Sequence, residues 1–433
     1  MSSVRKTKQE IINGNYDSVF EYLYGKSDIK SQTERSVHTL EGFCDHFGKS
    51  EDTDIRIYSS PGRTEIGGNH TDHQHGCVLA GSANMDSLAI VARRDDGIVR
   101  IKSIGHEEDV IDLHDLSIKS DEKNTSKALI RGTLSRFKQL DYKIGGFDAF
   151  TTSNVIKASG LSSSAAFEVL VGTILNYEFN GGLISPVKIA QIGQYAENEY
   201  MGKPSGLLDQ MSCSVGGFVF IDFKNPQYPV IEKIDYDFKQ SGYTICIVDT
   251  GGNHADLTPE YGKIPGEMKS VAAFFGKEVL REVDEREFYD NLTEVRKKCG
   301  DRAVLRAIHY FGENVRASLE AESLRQNKFD EFLRLVKESG ESSYKYLQNV
   351  FVPSNVEEQG IPIALCLSEK ILGDHGVCRV HGGGFAGVIQ AFVPNNMVEE
   401  YKRSMCHFFG ENSCTELTIR PIGGFEVTKQ NKK

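Results

Sequence analysis

Residues 160–166, GLSSSAA, stand directly before a run of apolar residues and dictate more of the local structure than any other segment. The run FEVLVGTILNYEF predicts a long apolar helix. Serine favours the N-terminal end of a helix, so we expect the loop at the positive end of the helix dipole. Backbone amides and hydroxyls at that position form a site for a small anion such as phosphate. A Ser-rich turn with ordinary capping explains the same residues, and the loop alone does not decide between the two.

A second loop, GGGFAG at residues 382–387, precedes the strand-like segment VIQAFV. Consecutive glycines let the backbone approach a ligand or another backbone without a Cβ clash. A bulge or a tight turn is the commoner explanation of an isolated glycine run. This segment therefore indicates a ligand site only in combination with the other loops.

A third loop follows the alternating segment DIRIY, which predicts a strand. The loop is PGRTEIGGNHTDH, and its hydrogen-bonding side chains include Arg63, Glu65, His70, Asp72 and His73. Such a cluster at a strand end suits a polyhydroxylated ligand, because each hydroxyl needs a placed partner. A metal site is the weaker interpretation, since these histidines and Asp72 are too close for the i, i+4 pattern of a helix and no cysteine pair assists. A solvated turn also remains open.

Asp209 lies beside two leucines in the segment KPSGLLDQ, ahead of a predicted strand. A carboxylate in this setting is either a helix cap, which is the commoner case, or a functional acid. The segment alone leaves both interpretations open.

Hydrophobic periodicity predicts mixed α and β structure along the chain. The expected elements are helices around residues 19–23 and 37–47, a strand at 54–58, a helix at 127–140, a strand at 146–154, and helices between 268 and 347. A loop, GGNHADLTPEYG, is expected before the last group of helices. We place a domain boundary ahead of the strand-like FVFIDF, which gives units of residues 1–216 and 217–433.

Length and composition exclude several classes of protein. A chain of 433 residues is long enough for two cored domains, and a hydrophobic content of 39% gives no case for disorder. The net charge of −11 argues against a nucleic-acid binder. The nine cysteines form no CxxC pair, which suits reduced thiols, and no apolar run approaches the roughly 20 residues of a membrane span. We therefore expect a cytoplasmic protein without nucleic-acid or membrane partners. We also expect a monomer, although no feature of the sequence determines the oligomeric state.

Together, the three loops and the Asp209 segment resemble the GHMP kinase superfamily and, within it, the galactokinase family. PGRTEIGGNHTDH is similar to the galactokinase sugar signature, normally close to PGRVNLIGEHTDY, and GLSSSAA resembles the central phosphate loop. VHGGGFAG resembles the third, glycine-rich motif, and YAENEYMGKPSGLLDQ resembles the stretch that bears the catalytic aspartate. The matches keep the family's order from about Thr39 to Phe392.

The resemblance implies both a fold and an activity. The fold would be the two-domain α+β GHMP kinase fold, with an N-terminal α/β domain of the ribosomal protein S5 domain 2-like type and a C-terminal α+β domain. The active site would lie in the cleft between them. The activity would be that of an ATP-dependent sugar 1-kinase, most simply one that converts ATP and α-D-galactose to ADP and α-D-galactose 1-phosphate and feeds galactose catabolism.

The family's functional residues map onto this chain position by position. Asp209 matches the catalytic aspartate that accepts the proton of the anomeric hydroxyl, and Arg63 matches the arginine that faces it. Ser164 and Glu197 match the Mg²⁺ ligands, which are oxygen donors of the kind that Mg²⁺ prefers. The positions that match sugar contacts are Asn69, His70, Asp72, Gly206 and Tyr261. Those that match ATP contacts are Gly160, Leu161, Ser162, Ser163, Ser164 and Ala165.

Several departures from the family pattern concern the ligands. Asn69 stands where the signature has a Glu that is expected to accept a hydrogen bond from the sugar's primary hydroxyl. Replacing that carboxylate by an amide removes a repulsion against a carboxylate at C6, so galacturonate or another C6- or C2-modified galactose becomes an alternative substrate. Residues 156–159 replace the usual proline and glycines of the phosphate loop, and GKIPG replaces a family Asn and paired arginines after Tyr261. A non-catalytic sugar and nucleotide sensor is a second alternative, against which the retained catalytic residues count.

Overall fold

The first predicted strand extends well beyond DIRIY and includes much of the PGRTEIGG segment. In the computed structural model, which describes residues 2–155, 160–203, 205–252, 257–385 and 387–430, this strand spans Asp54–Gly67. Its side chains are buried without interruption from Ile57 onward. Because successive side chains point to opposite faces of a sheet, both faces of this strand are covered.

The elements are numbered in chain order. The strands are β1 (Ser2–Ser3), β2 (Asp54–Gly67), β3 (Cys77–Arg94), β4 (Ile98–Ser103), β5 (Glu108–Asp112), β6 (Gly146–Ser153), β7 (Phe218–Asp222), β8 (Val230–Ile234), β9 (Tyr243–Asp249), β10 (Val377–Val380), β11 (Val388–Pro394), β12 (Cys414–Leu417) and β13 (Phe425–Glu426). The helices are α1 (Val4–Ile12), α2 (Asp17–Tyr24), α3 (Ile29–Phe47), α4 (Ser126–Gln139), α5 (Ser163–Phe179), α6 (Pro186–Tyr195), α7 (Leu208–Val215), α8 (Thr258–Phe274), α9 (Glu285–Asp290), α10 (Leu292–Cys299), α11 (Asp301–Arg325), α12 (Phe329–Ser342), α13 (Gly360–Leu372), α14 (Val398–Phe409) and α15 (Val427–Gln430). None of these helices of the described residues is long and apolar enough to cross a membrane.

The strands form two sheets. The larger sheet has nine strands within the described residues, in the order β1-β2-β3-β6-β4-β5, with β13 paired to β2 and with β7 and β8 added beside β3. The long strand β3 pairs with two further strands at different places along its length. Its first half pairs with β7, and its second half pairs with β6. The smaller sheet is antiparallel and has the order β10-β11-β9-β12.

Most elements predicted from periodicity are confirmed. Helix α4 and strand β6 match the predicted 127–140 and 146–154 to within one residue at each end. The predicted loop GGNHADLTPEYG is wrong from Thr258 onward, because helix α8 begins there. Residues 253–256 of that segment lie outside the described residues, as do residues 156–159 of the phosphate loop.

Helix α5 lies buried along most of its length and packs against β2, α6 and α7. This is the expected position for a helix that is apolar on all sides. Ordinary serine capping, one of the two interpretations left open by the sequence, is not found at Ser162: this residue precedes the helix in the left-handed region, with φ 54°, and makes no capping hydrogen bond. Its hydroxyl donates instead to the carboxylate of Asp209.

The chain returns to the larger sheet after the predicted boundary at 216/217. Strands β7 and β8 follow that boundary, yet β7 pairs with β3. Near the C-terminus, β13 pairs with β2. The division into residues 1–216 and 217–433 stays a prediction, and the sheet contains strands from both sides of it.

A buried cluster around Asp86 connects the N-terminal helices, the larger sheet and the C-terminal segment. Asp86 accepts hydrogen bonds from Arg35 of α3 at 2.6 Å, from Arg420 at 3.1 Å and from the hydroxyl of Tyr24 at 2.6 Å. Burial alone would raise the pKa of Asp86, but the charges of Arg35 and Arg420 outweigh it and lower that pKa. The carboxylate is therefore ionised and offsets one of the two positive charges of Arg35 and Arg420.

We expect Asp86→Ala to lower the free energy of unfolding by about 3–5 kcal/mol, because it leaves the fully buried Arg420 without its counter-ion. Urea unfolding followed by circular dichroism measures the change. Asp301→Ala is the matched control, since it removes an exposed ion pair with Arg296 and should leave the urea midpoint almost unchanged. Similar midpoints for the two variants would contradict this role of Asp86.

Candidate active site

The predicted catalytic and sugar-contact residues all line one polar cavity of about 280 Å³. A concave site with a few convergent polar groups suits a small polar ligand rather than a macromolecule. The residues that line it are Arg63, Glu65, Gly68, Asn69, His70, Asp72, His73, Ser205, Gly206, Leu208, Asp209, Tyr261, Gly382 and Gly383. They come from strand β2 and its following loop, from the start of α7, from α8 and from the glycine-rich turn before β11.

Arg63 joins three parts of this site. Its Nε donates to Oδ1 of Asp209 at 2.7 Å, and its Nη1 donates to the carbonyl of Gly160. Its backbone N–H donates to the carbonyl of Leu161 at 3.0 Å. The pairing of β2 with β3 shifts register on either side of this residue, and such bulges re-aim side chains out of a regular ladder. The guanidinium therefore holds the strand, the phosphate loop and Asp209 in one arrangement.

Asp209 is the second residue of α7, and it is not a helix cap. Leu207 precedes the helix and makes no capping bond. Burial alone would raise the pKa of Asp209, but the charge of Arg63 and the hydrogen bonds from Ser162 and Arg63 lower that pKa below its ordinary value. The side chain is 34% exposed and lines the cavity, so an ionised carboxylate faces the ligand space.

His70 and Asp72 present hydrogen-bond acceptors to the same cavity. The Nε2 of His70 donates to the carbonyl of Gly383 at 3.1 Å. Burial and the neighbouring His73 lower the pKa of His70 to about 4, so its ring is neutral at pH 7 and its Nδ1 is an acceptor. Asp72 accepts the backbone N–H of His73 at 2.9 Å. A Cβ on Gly206 would lie 3.0 Å from Oδ2 of Asp72, so glycine leaves this carboxylate room.

Tyr261 fixes the glycine-rich turn against helix α8. Its hydroxyl donates to the carbonyl of Gly384 at 3.0 Å, and its ring meets that of Phe385 edge to face, with 5.4 Å between centroids. A Cβ on Gly383 would lie 2.6 Å from the ring of Tyr261. Close packing against Tyr261 therefore requires glycine at position 383. Gly382 and Gly383 also line the cavity.

The side chain of Asn69 is fully engaged by protein groups. Its Nδ2 donates to Oε1 of Glu65 and to the carbonyl of Gly382, each at 2.7 Å. Its Oδ1 accepts from Asn349 at 2.9 Å and from Ser343 at 3.3 Å. An amide offers two donors and two acceptor sites, and all are used here. These contacts show that Asn69 orders the loop, and the sugar contact expected of this amide stays a prediction that requires one of them to open.

The predicted ATP contacts lie at the start of α5. Ser163 and Ser164 line a second cavity of about 590 Å³, together with side chains that include Phe167 and Met201. Leu161 and Ala165 have fully buried side chains, so these two residues can contact a nucleotide only through their backbones. Gly160 has a φ of 71°, a conformation that suits glycine. The free amides of the first helical turn make this position suitable for phosphate.

Glu197 lies buried in a π-helical turn, Ala196–Met201, that follows α6. Its Oε1 is 2.8 Å from Nζ of Lys203, and its Oε2 accepts from Gln210 at 2.8 Å. The same Gln210 nitrogen donates to Glu168 at 2.9 Å. Burial and the nearby charge of Glu197 raise the pKa of Glu168 well above its ordinary value.

The donor set near α5 fits Mg²⁺ only together with a phosphate ligand. Ser164, Glu197 and Asp209 supply oxygen atoms, which Mg²⁺ prefers. In the part of the chain that the structure describes, no group of three or more His, Cys, Asp or Glu side chains could hold a metal. Phosphate oxygens would have to complete the shell, and Glu197 would have to exchange Lys203 for the metal.

Sequence reasoning missed several residues of the site. His381 accepts the backbone N–H of Glu65 at 3.2 Å and so ties the third motif to β2. His381 and Lys203 stand inside recognised motifs, and their positions there were an available signal. Asn349, which holds Asn69, belongs to no motif and gives no signal in the sequence.

Comparison with protein families agrees with this geometry. The family described as "GHMP kinases N terminal domain" matches residues 128–217, and the "Galactokinase galactose-binding signature" matches residues 41–93. A galactokinase of Glaesserella parasuis serovar 5 is 32% identical over 383 residues, which cover 87% of this chain and 94% of the relative. A galactokinase of Streptomyces coelicolor is 30% identical over 338 residues, which cover 76% and 82%.

Solved structures confirm the predicted fold. Lactococcus lactis galactokinase complexed with galactose has a TM-score of 0.75 at 24% identity, covering 90% of this chain and 99% of that one. Methanococcus jannaschii mevalonate kinase has a TM-score of 0.59 at 14% identity, covering 84% and 98%. The two galactokinase relatives are 32% and 30% identical to this chain over most of both chains. The protein therefore belongs to the galactokinase family of the GHMP kinases.

Proposed function

We propose that this protein transfers the γ-phosphoryl group of ATP to the anomeric hydroxyl of α-D-galactose, which yields ADP and α-D-galactose 1-phosphate. The observation that carries the proposal is the ionised Asp209, held by Arg63 at 2.7 Å in the wall of a small polar cavity. The same guanidinium reaches the carbonyl of Gly160 in the loop before α5. A proton acceptor and a phosphate loop are thus coupled by one side chain.

The geometry supports a direct transfer. Asp209 accepts the proton of the sugar hydroxyl, the hydroxyl oxygen bonds to the γ-phosphorus, and the bond from that phosphorus to the ADP oxygen breaks. Arg63 offsets the negative charge of the phosphoryl oxygens at that point. Because such a transfer needs little covalent chemistry from the protein, positioning and charge stabilisation supply most of the rate.

The sugar is held through acceptors that match its hydroxyl donors. His70 offers Nδ1 and Asp72 offers carboxylate oxygens, and Gly206 leaves space beside Asp72. Tyr261 and Gly383 line the same cavity. These side chains and the loop backbone orient the anomeric hydroxyl toward Asp209.

We place the triphosphate of ATP at the amides and hydroxyls of residues 160–165, with the nucleoside in the cavity of about 590 Å³. Ser164 and Glu197 would hold Mg²⁺, which when bound neutralises phosphate charge. The cytoplasmic location and the monomeric state stay predictions of the sequence.

Two alternatives are less consistent with the site. The absence of a carboxylate at position 69 made galacturonate an alternative substrate. However, Glu65, Asp72 and Asp209 all line the cavity, and their negative charges repel the carboxylate of galacturonate. A non-catalytic sensor does not require the Arg63 and Asp209 pair that the site retains.

Wild-type protein with ATP, Mg²⁺ and galactose should release ADP in a coupled assay, whereas Asp209→Asn should lower kcat at least about 100-fold because the proton acceptor is lost. Galactose binding to the variant, measured by calorimetry, should persist. Asp301→Ala, a change at an exposed ion pair, serves as the control with unchanged kcat. Absence of galactose-dependent ADP release by the wild type would refute the proposed function, and an unimpaired Asp209→Asn would refute the assigned base.

Arg63→Gln should move the acid limb of the kcat/KM pH profile to higher pH. The charge of Arg63 lowers the pKa of Asp209 against the opposing effect of burial, so its removal leaves burial to raise that pKa. The variant then protonates Asp209 at a pH where the wild type is still ionised. Arg63→Lys keeps the charge and should shift the limb less, whereas an acid limb at the same pH in all three proteins would show that Arg63 does not set this ionisation.

A further inference from the structure

We propose that Glu65 is a specificity-determining residue that accepts a hydrogen bond from a hydroxyl of the sugar and disfavours sugars with a carboxylate at that place. The inference rests on the proposed function, since it takes the sugar to lie in the cavity that Arg63, Asp209 and Glu65 line together. Glu65 belongs to the polar cluster of the third loop but is not one of the positions that match the family's sugar contacts.

The sequence shows an exchange of two residue types. The signature PGRVNLIGEHTDY has Asn at its fifth position and Glu at its ninth, whereas PGRTEIGGNHTDH has Glu65 and Asn69 at those positions. The carboxylate is therefore not lost from this loop but moved by four residues. In the structure the two side chains are partners, because Nδ2 of Asn69 donates to Oε1 of Glu65 at 2.7 Å.

Glu65 has one oxygen held by protein and one available to a ligand. Its Oε1 accepts from Asn69 and lies 3.4 Å from Nη2 of Arg379. Within the described residues no hydrogen bond reaches its Oε2. The residue is only 7% exposed, and it lines the cavity. Oε2 is therefore a free acceptor in the cavity wall, and a sugar hydroxyl is a donor that suits it.

The surrounding charges keep this carboxylate usable near neutral pH. Burial raises the pKa of Glu65 to about 6, and the nearby charges of Arg379 and Arg63 limit that rise. Arg379 is itself fully buried, and its other nitrogens donate to the carbonyls of Val380 and Ile66. Arg379 therefore orients Glu65 from behind rather than offering a free cation to an anionic sugar.

Asn69, which donates to Glu65, has no hydrogen-bonding site of its own left for the sugar. Asn69 uses both donors and both acceptor sites on Glu65, Gly382, Asn349 and Ser343. A sugar carboxylate approaching this pair would meet Glu65 and Asp72, with the guanidinium of Arg63 already bound to Asp209. The site thus favours a neutral galactose-type hexose.

Steady-state kinetics of Glu65→Gln with galactose, its monodeoxy derivatives and galacturonate test this inference. We expect kcat/KM for galactose to fall about 10- to 100-fold, mainly through KM, because a hydrogen bond to a charged acceptor is weakened. For the one deoxygalactose that lacks the bound hydroxyl, kcat/KM should be nearly the same in variant and wild type. The galactose preference over galacturonate should also decrease. Glu411→Gln, a change at an exposed glutamate, should alter none of these values.

A double variant keeps the test independent of folding defects. Glu65→Asn combined with Asn69→Glu restores the order of the signature and keeps an acid and an amide in contact, so galactose kcat/KM should stay within about tenfold of wild type. A loss by Glu65→Gln that is equal for galactose and every deoxy derivative, or no loss at all, would overturn the inference. So would a folded but inactive double variant. A wild type without galactose-dependent turnover would instead refute the proposed function itself.

Discussion

The ion pair between Arg63 and Asp209 is the interaction on which the site depends. The Arg63 guanidinium donates to the Asp209 carboxylate at 2.7 Å and to the carbonyl of Gly160. The backbone N–H of Arg63, in strand β2, donates to the carbonyl of Leu161. That positive charge is the largest effect that lowers the pKa of Asp209 against burial, so Arg63 favours the ionised form that can accept a proton. The acid, the phosphate loop and the sugar loop are therefore held in register by a single residue.

The fold supplies rigid positions for these three parts. Strand β2 carries Arg63 at a register shift, helix α7 begins at Leu208 beside Asp209, and helix α5 begins after Ser162. Helix α5 is buried along most of its length, so its first turn is fixed by the packing of the whole helix. The glycine-rich turn before β11 approaches from the smaller sheet and is tied to β2 through His381. A site built on such elements presents its polar groups in fixed positions to two small ligands.

Local patterns predicted local structure well. The DIRIY alternation, the α4 periodicity and the Gly-Ser loop before α5 all depend on near neighbours, and each is confirmed. The four motifs also predicted which residues meet at one cavity. Features that depend on distant contacts were not accessible. Ser162 bonds to Asp209 rather than capping α5, and Asn69 is occupied by Asn349 and Ser343, which are some 280 residues away in sequence. The pairing of β7 with β3 across the predicted boundary is of the same kind, since strand partners are set by the whole sheet.

The position of the new phosphate on the sugar reports which hydroxyl Asp209 deprotonates. If Asp209 receives the proton of the anomeric hydroxyl, [1-¹³C]galactose turned over with ATP should show ¹³C–³¹P coupling at C1 in the NMR spectrum of the product. A phosphorylated sugar without coupling at C1, or phosphate released to water with no phosphorylated sugar, would contradict this role of Asp209.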